Sequence, residues 1–166
     1  DRLLLACGVL VAALFASGHN LQATPWLAAP FILLSGLHGL RLWRWHLRGI
    51  WGVPLLWSLH LGYAWLLVAS LGMAAWHLGW LAYPSLASHA LAVGAMGGLI
   101  LAMMARVSLG HTGRALQPPK AMAWAFGLLN LGALIRVSAG GSCLWLAALC
   151  WGAAFALFAW HYAPML

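Results

Sequence analysis

Long apolar runs broken by short polar turns set the pattern of this chain. Six such runs are read along it: Leu3 to Ser17, Pro25 to Leu42, Val53 to Ala75, Ser85 to Met104, Ala121 to Val137 and Cys143 to Tyr162. Alternation with a period of two is absent, so the runs predict helices rather than strands. Each is close to the ~20 residues that a helix needs to cross the hydrocarbon of a bilayer. Pro54 falls in the first turn of the third run, and Pro84 just ahead of the fourth, where proline is tolerated. The expectation is an all-α, polytopic transmembrane helix bundle of about six spans.

Composition removes the main alternative. Apolar residues make up 65% of the 166 and charged residues 5%. Soluble domains have roughly 25% charged residues. Eight basic residues and one acid do not cover a solvated surface. In lipid every backbone polar group must be satisfied internally, which helices achieve.

The net charge of +7 suggests nucleic acid, but the placement of the charges points elsewhere. Arg2, Arg41, Arg44, Arg48, Arg106, Arg114 and Lys120 fall on one side of a six-span topology, and only Arg136 on the other. Under the positive-inside rule the basic side is cytoplasmic, and so are both termini. No nucleic-acid partner is expected. Trp43, Trp45 and Trp51 then mark one membrane interface, and Trp76, Trp80 and Tyr83 the other. His19, His46, His77 and His161 also lie at interfaces and read as anchors. The chain starts at Asp1 with an apolar run almost at once, and reads as a single transmembrane domain cut from a longer protein.

Candidate chemistry is narrow. No span contains Asp or Glu, so carboxylate relays, paired-carboxylate catalysis and carboxylate metal ligands are excluded from this segment. Imidazole, thioether and thiol remain, a set that suits haem iron, copper or zinc. Cys143 and Cys150 are seven apart on one helix, about 10 Å along its axis and too far for a disulfide. An ionisable side chain inside a span is a functional candidate by default. His38 and His60 lie within spans two and three, His89 opens span four, and His111 follows that span in the hydrophilic stretch Val107 to Lys120. The alternative for each is a neutral histidine bonded to a neighbouring helix or to its own backbone.

Span four carries two patterns. Ala90, Gly94, Gly98 and Ala102 form a stripe of small residues that admits a close helix or a flat ligand. His89, Val93, Met96, Ile100 and Met103 share another face, where His89 and Met96 are candidate ligands for copper or haem iron and packing is the plainer reading. In Ser108 to Arg114, SLGHTGR, glycines, hydroxyls, His111 and Arg114 are concentrated. Its amides, with Arg106 and Arg114, suit an anion such as a haem propionate. Asn130, alone and polar in span five, suits an interhelical hydrogen bond.

The run from His89 to Arg114, HALAVGAMGGLILAMMARVSLGHTGR, resembles the signature of the NnrS family, as does HLGYAW from His60 to Trp65. The likeness extends over the chain as the C-terminal half of such a protein. It implies a bacterial inner-membrane protein of about twelve helices with haem b and copper, associated with denitrification and the nitric oxide response. On that reading His60, His89, His111, Arg106 and Arg114 are candidate cofactor-binding residues, and His60, His89, His38 and Met96 candidate metal ligands. Membrane lipid, nitric oxide or a related small molecule, and the remaining N-terminal half are the expected partners. Two other classes stay open: half of a membrane transporter, or a haem-b electron-transfer subunit with His38 and His60 at matched depth.

Overall fold

A computed structural model of the chain describes residues 2–139 and 141–165. Its long elements are α1 (Arg2–Ala16), α2 (Ala28–Trp45), α3 (Pro54–His77), α4 (Ser85–His111), α5 (Ala121–Ser138) and α6 (Leu144–Tyr162). Short 3-10 turns at His19–Leu21, Pro25–Leu27, Arg48–Gly52 and Ala163–Met165 fill the connections and the end. All six expected helices are there. Four of them, Pro54–His77, Ser85–His111, Ala121–Ser138 and Leu144–Met165, are long and apolar enough to cross a membrane. The chain is thus an all-α bundle of the polytopic membrane kind. Leu3, Trp145 and Trp160 lie on its outside, as they do when lipid is the solvent.

Helix α3 is the hub, packing on α2, α4 and α5, while α5 and α6 form a close pair. Two apolar clusters result. One joins Cys7 and Val11 of α1 to Phe31 and Leu34 of α2, Met73 of α3 and Ala87 of α4. The other joins Leu101 and Ala105 of α4 to Met122 and Phe126 of α5 and Phe158 and Tyr162 of α6.

Helix α4 departs most from expectation. It runs to His111 rather than stopping near Met104, because Ala105, Ser108 and Leu109 are buried in the core and hold those turns helical. It also widens to a π-helix over Ala90–Met96. π-Segments are rare and recur at functional sites, and no hydrophobic period announces one. The end of α4 is a Schellman turn. Gly113 takes φ 67°, the left-handed region that glycine enters without penalty. Its N–H donates to Gly110 O (3.2 Å) and that of Arg114 to Leu109 O (2.9 Å). Gly79 ends α3 in the same way, with φ 77° and the Trp80 N–H donating to Ala75 O (2.8 Å).

Two interface assignments need correcting, those of Trp76 and His77, since both side chains are buried. Trp76 is only 7% exposed and belongs to the core, whereas Trp80 and Tyr83, past the helix end, are exposed. Trp76 lies beside His77 with ring centroids 4.6 Å apart, on the inward face of the last turn of α3.

Candidate functional site

The small-residue stripe of α4 meets α3. Gly98 packs against the backbone of Gly62, so that a Cβ on Gly98 would lie 3.4 Å from the Gly62 Cα. One turn away the Trp65 ring covers Gly94, and a Cβ there would meet its Cγ at 2.5 Å. The flat group received by the stripe is therefore this indole. Its Nε1–H donates to Asn130 Oδ1 (2.9 Å), and Asn130 Nδ2 donates back to Phe126 O (2.8 Å). Asn130 makes the interhelical bond expected of it, tying α3 to α5.

The end of the bundle that carries the α2–α3 turn gathers the largest group of polar aromatic side chains. On α2, His38, Arg41 and Trp45 follow helical spacing and share one face. On α3, His60 and Tyr63 do the same, one turn apart. His38 Nδ1 and the Tyr63 hydroxyl share a hydrogen bond of 2.8 Å. The Arg41 guanidinium lies over the Trp45 ring at 4.3 Å and approaches that of Tyr63 at 6.0 Å. His46, just past the end of α2, brings its ring to 5.6 Å from that of His60, centroid to centroid. Trp51 borders both rings.

His60 and Tyr63 line a cavity of about 320 Å³ whose other walls include Leu42, Trp45, Leu59 and Leu99. Neither His46 nor His60 takes part in a hydrogen bond among the described residues. Metal–imidazole bonds of about 2.0 Å place two rings on one ion with centroids roughly 5–6 Å apart. The centroid separation of this pair falls in that range. Among the described residues no group of three or more His, Cys, Asp or Glu converges on one point.

His46 was the member hidden in the sequence. It reads as an anchor because it follows α2, and only the fold of the turn Arg48–Gly52 brings it over α3. Tyr63 and Arg41 carried a usable signal, each three residues from a histidine already singled out.

The remaining candidates lie apart. His89 is level with the opposite end of α3: Gly98 is level with Gly62, and His89 lies nine residues before Gly98, about 13 Å along the axis. No single ion is held by His60 and His89 together. The His89 Nδ1–H donates to Ser85 O, and its Nε2 accepts from Arg136 of α5 at 2.9 Å. Met96 is 53% exposed on the outside of α4. His111 and Arg106 share an open groove of about 330 Å³ with Met103 and Leu116. Arg114 is exposed just beyond it. The amides of Thr112, Gly113 and Arg114 are used in ending α4, and Thr112 Oγ1 donates to Ser108 O (2.8 Å). Much of SLGHTGR is thus a helix cap, and the groups that remain for an anion are its His111 imidazole and Arg114 guanidinium, with Arg106 just before it.

At the far end His77 is 1% exposed. The Thr24 N–H donates to its Nδ1 (3.1 Å), which places the ring hydrogen on Nε2, and that N–H donates to Asn20 Oδ1 (3.0 Å). Phe31 stacks on it at 5.4 Å. His77 clamps the α1–α2 connection to the end of α3.

Long apolar helices, histidines at both ends and no carboxylate in any span define a histidine-rich helical membrane protein. Within that class the chain belongs to the NnrS family, whose family model, described as NnrS protein, matches residues 1–166. No curated protein and no solved structure matches it.

Proposed function

We propose that this chain binds copper and haem b in a bacterial inner membrane and serves the nitric oxide response linked to denitrification. The observation that carries the reading is the pair His46 and His60, with ring centroids 5.6 Å apart, His60 lining a cavity and neither ring in a hydrogen bond among the described residues, in a chain of the NnrS family. His46 and His60 are the copper ligands in this reading. His111 is the imidazole for haem, with Arg106 and Arg114 as partners of its propionates. When bound, either metal supplies a one-electron couple and a place for a small apolar gas.

The chain's own residues do the rest. Trp45 and the leucines of the cavity give His60 an apolar surrounding. His38 fixes the Tyr63 hydroxyl one turn from His60. His89 and Met96, if they ligate, serve a separate centre, and His89 must first give up Arg136. Six crossings with cytoplasmic termini put His46, His60 and His111 near the inner face, in line with seven of the eight basic residues. An N-terminal half of the same protein, bringing the total to about twelve helices, supplies the missing donors.

The test is an absorption spectrum and metal analysis of the full-length protein in detergent, with and without nitric oxide, followed by His46→Ala and His60→Ala. Each variant is expected to lower copper affinity at least tenfold, about the scale of losing one element of a site. His89→Ala is expected to leave copper in place. Unchanged copper in both of the first two variants would sink the assignment. A transporter half is the second reading, favoured by the π-helical stretch Ala90–Met96 inside a glycine-rich span. Substrate uptake into vesicles by metal-free protein would select it.

A further inference from the structure

We infer that the apolar pocket between α1, α2, α3 and the first turns of α4 binds the ring of a membrane quinone. The pocket measures about 220 Å³ and shares no wall residue with the His60 cavity. Its walls are buried side chains: Phe31 and Leu34 of α2, Ala69 and Met73 of α3, and Ala87 of α4. Its rim is open, because Phe15 of α1 and Leu91 of α4 are 51% and 41% exposed on the outside of the bundle. In a helical membrane protein that outside faces lipid. An apolar cavity of about 150 Å³ takes one benzene. This one is sized for a single substituted ring, with a tail leaving past Phe15 and Leu91. Leu91 also belongs to the π-helical stretch Ala90–Met96, and such stretches recur at functional sites.

One donor selects the ligand. The polar side chains that line the pocket are His38, Ser70 and Ser88. Both serines spend their hydrogens on their own helices, Ser70 Oγ on Leu66 O (2.8 Å) and Ser88 Oγ on Pro84 O (3.2 Å). His38 Nδ1 is engaged by the Tyr63 hydroxyl, whereas its Nε2 has no partner among the described residues. With the phenol donating to Nδ1, the ring hydrogen of His38 sits on Nε2. A donor without an acceptor at membrane depth is costly, and a ligand oxygen removes that cost. No Arg, Lys, Asp or Glu lines the pocket among the described residues, so a phosphate or carboxylate headgroup meets no counter-charge there. An acyl chain brings no oxygen to Nε2. A lipid-soluble ring that bears carbonyl oxygens satisfies both the apolar walls and the donor. The Phe15 and Phe31 rings, edge to face at 6.0 Å, add aromatic surface for it. Tyr63 lines the His60 cavity as well, so a ligand on His38 lies one hydrogen bond from that cavity.

Native mass spectrometry of the full-length protein in a neutral detergent tests this, with decylubiquinone as probe and decylbenzene, a ring and tail without oxygens, as reference. The wild type is expected to hold one decylubiquinone per chain about tenfold more tightly than decylbenzene, the scale of one hydrogen bond in an apolar site. His38→Phe keeps an aromatic ring and removes the donor. It is expected to lower decylubiquinone affinity about tenfold and to leave decylbenzene within about twofold. His60→Ala, in the other cavity, is expected to change either ligand less than about twofold. Leu91→Trp narrows the rim, keeps His38 and is expected to exclude both ligands, which covers the case of a histidine variant that does not fold. Equal affinity of the wild type for the two ligands would overturn recognition of the oxygen. A loss from His60→Ala as large as that from His38→Phe would move the ligand out of this pocket and overturn the assignment. Decylubiquinone retention unaffected by Leu91→Trp would do the same. Uptake of neither ligand by the wild type would mean that the rim is covered in the full-length protein, and would also overturn it. None of these readouts depends on copper or haem.

Discussion

The two ends of α3 carry histidines of opposite character. At the end near the α3–α4 turn, both nitrogens of His77 and both nitrogens of His89 are engaged by protein groups. At the end near the α2–α3 turn, the rings of His46 and His60 approach each other with no hydrogen bond among the described residues. A satisfied, stacked imidazole resembles any other polar core group, and its removal orphans its partners. An unsatisfied imidazole beside a second one at a cavity has little structural reason to be there. Histidine burial therefore ranks these residues in the wrong order for chemistry. The most buried, His77, is the most structural, and half-buried His60 is the best candidate ligand.

Substitution at the two ends breaks this comparison most sharply. His77→Ala removes the acceptor for the Thr24 N–H and the donor to Asn20, and opens a hole beside Phe31. A lost buried hydrogen-bonding group costs roughly 1–3 kcal/mol and the cavity adds to it. A loss of about 3 kcal/mol or more is expected in unfolding of the detergent-solubilised protein. His60→Ala in the metal-free protein is expected to cost less than about 1 kcal/mol, as it breaks no hydrogen bond among the described residues. Equal destabilisation by the two would remove the distinction between structural and ligand histidines.

The sequence made one kind of information legible and hid another. Helix number and rough bounds follow from run length, since lipid demands ~20 apolar residues whatever they pack against. Asn130 was also legible, because a lone amide at depth has few ways to be satisfied. His46 was not. Its pairing with His60 depends on a 3-10 turn between two helices, which leaves no periodic trace. The π-segment of α4 and the cap role of SLGHTGR were hidden for related reasons. Gly113 signals a left-handed turn and equally a flexible anion loop, and only the extension of α4 by the buried Ala105, Ser108 and Leu109 decides between them.

The stripe of α4 provides the next test, of intermediate size. A Cβ at Gly94 would lie 2.5 Å from the Trp65 Cγ, whereas at Gly98 it would lie 3.4 Å from the Gly62 Cα. Overpacking of this kind costs about 1–3 kcal/mol. Gly94→Ala is expected in that range and Gly98→Ala below ~1 kcal/mol, read from thermal unfolding in detergent. If haem rather than the Trp65 indole occupied this stripe in the loaded protein, Gly94→Ala would lower haem content instead of stability, so both are measured on the same preparations.

The smallest effect is expected at Asn130, between the two ends. Asn130→Leu keeps the volume but leaves the Trp65 Nε1–H without its acceptor on α5. Interhelical hydrogen bonds in membrane proteins are worth only about 0.6 kcal/mol on average, because the unfolded chain in lipid finds other partners. Asn130 also spends its amide hydrogens on Phe126 O within its own helix, so the leucine frees a carbonyl that already belongs to the helical ladder. A loss of about 0.5–1 kcal/mol is expected, with copper content unchanged, since the indole is still held over Gly94 by packing. A fall in copper with little change in stability would mean that the α3–α5 tie positions His60, and would extend the candidate site from the bundle's end into its middle.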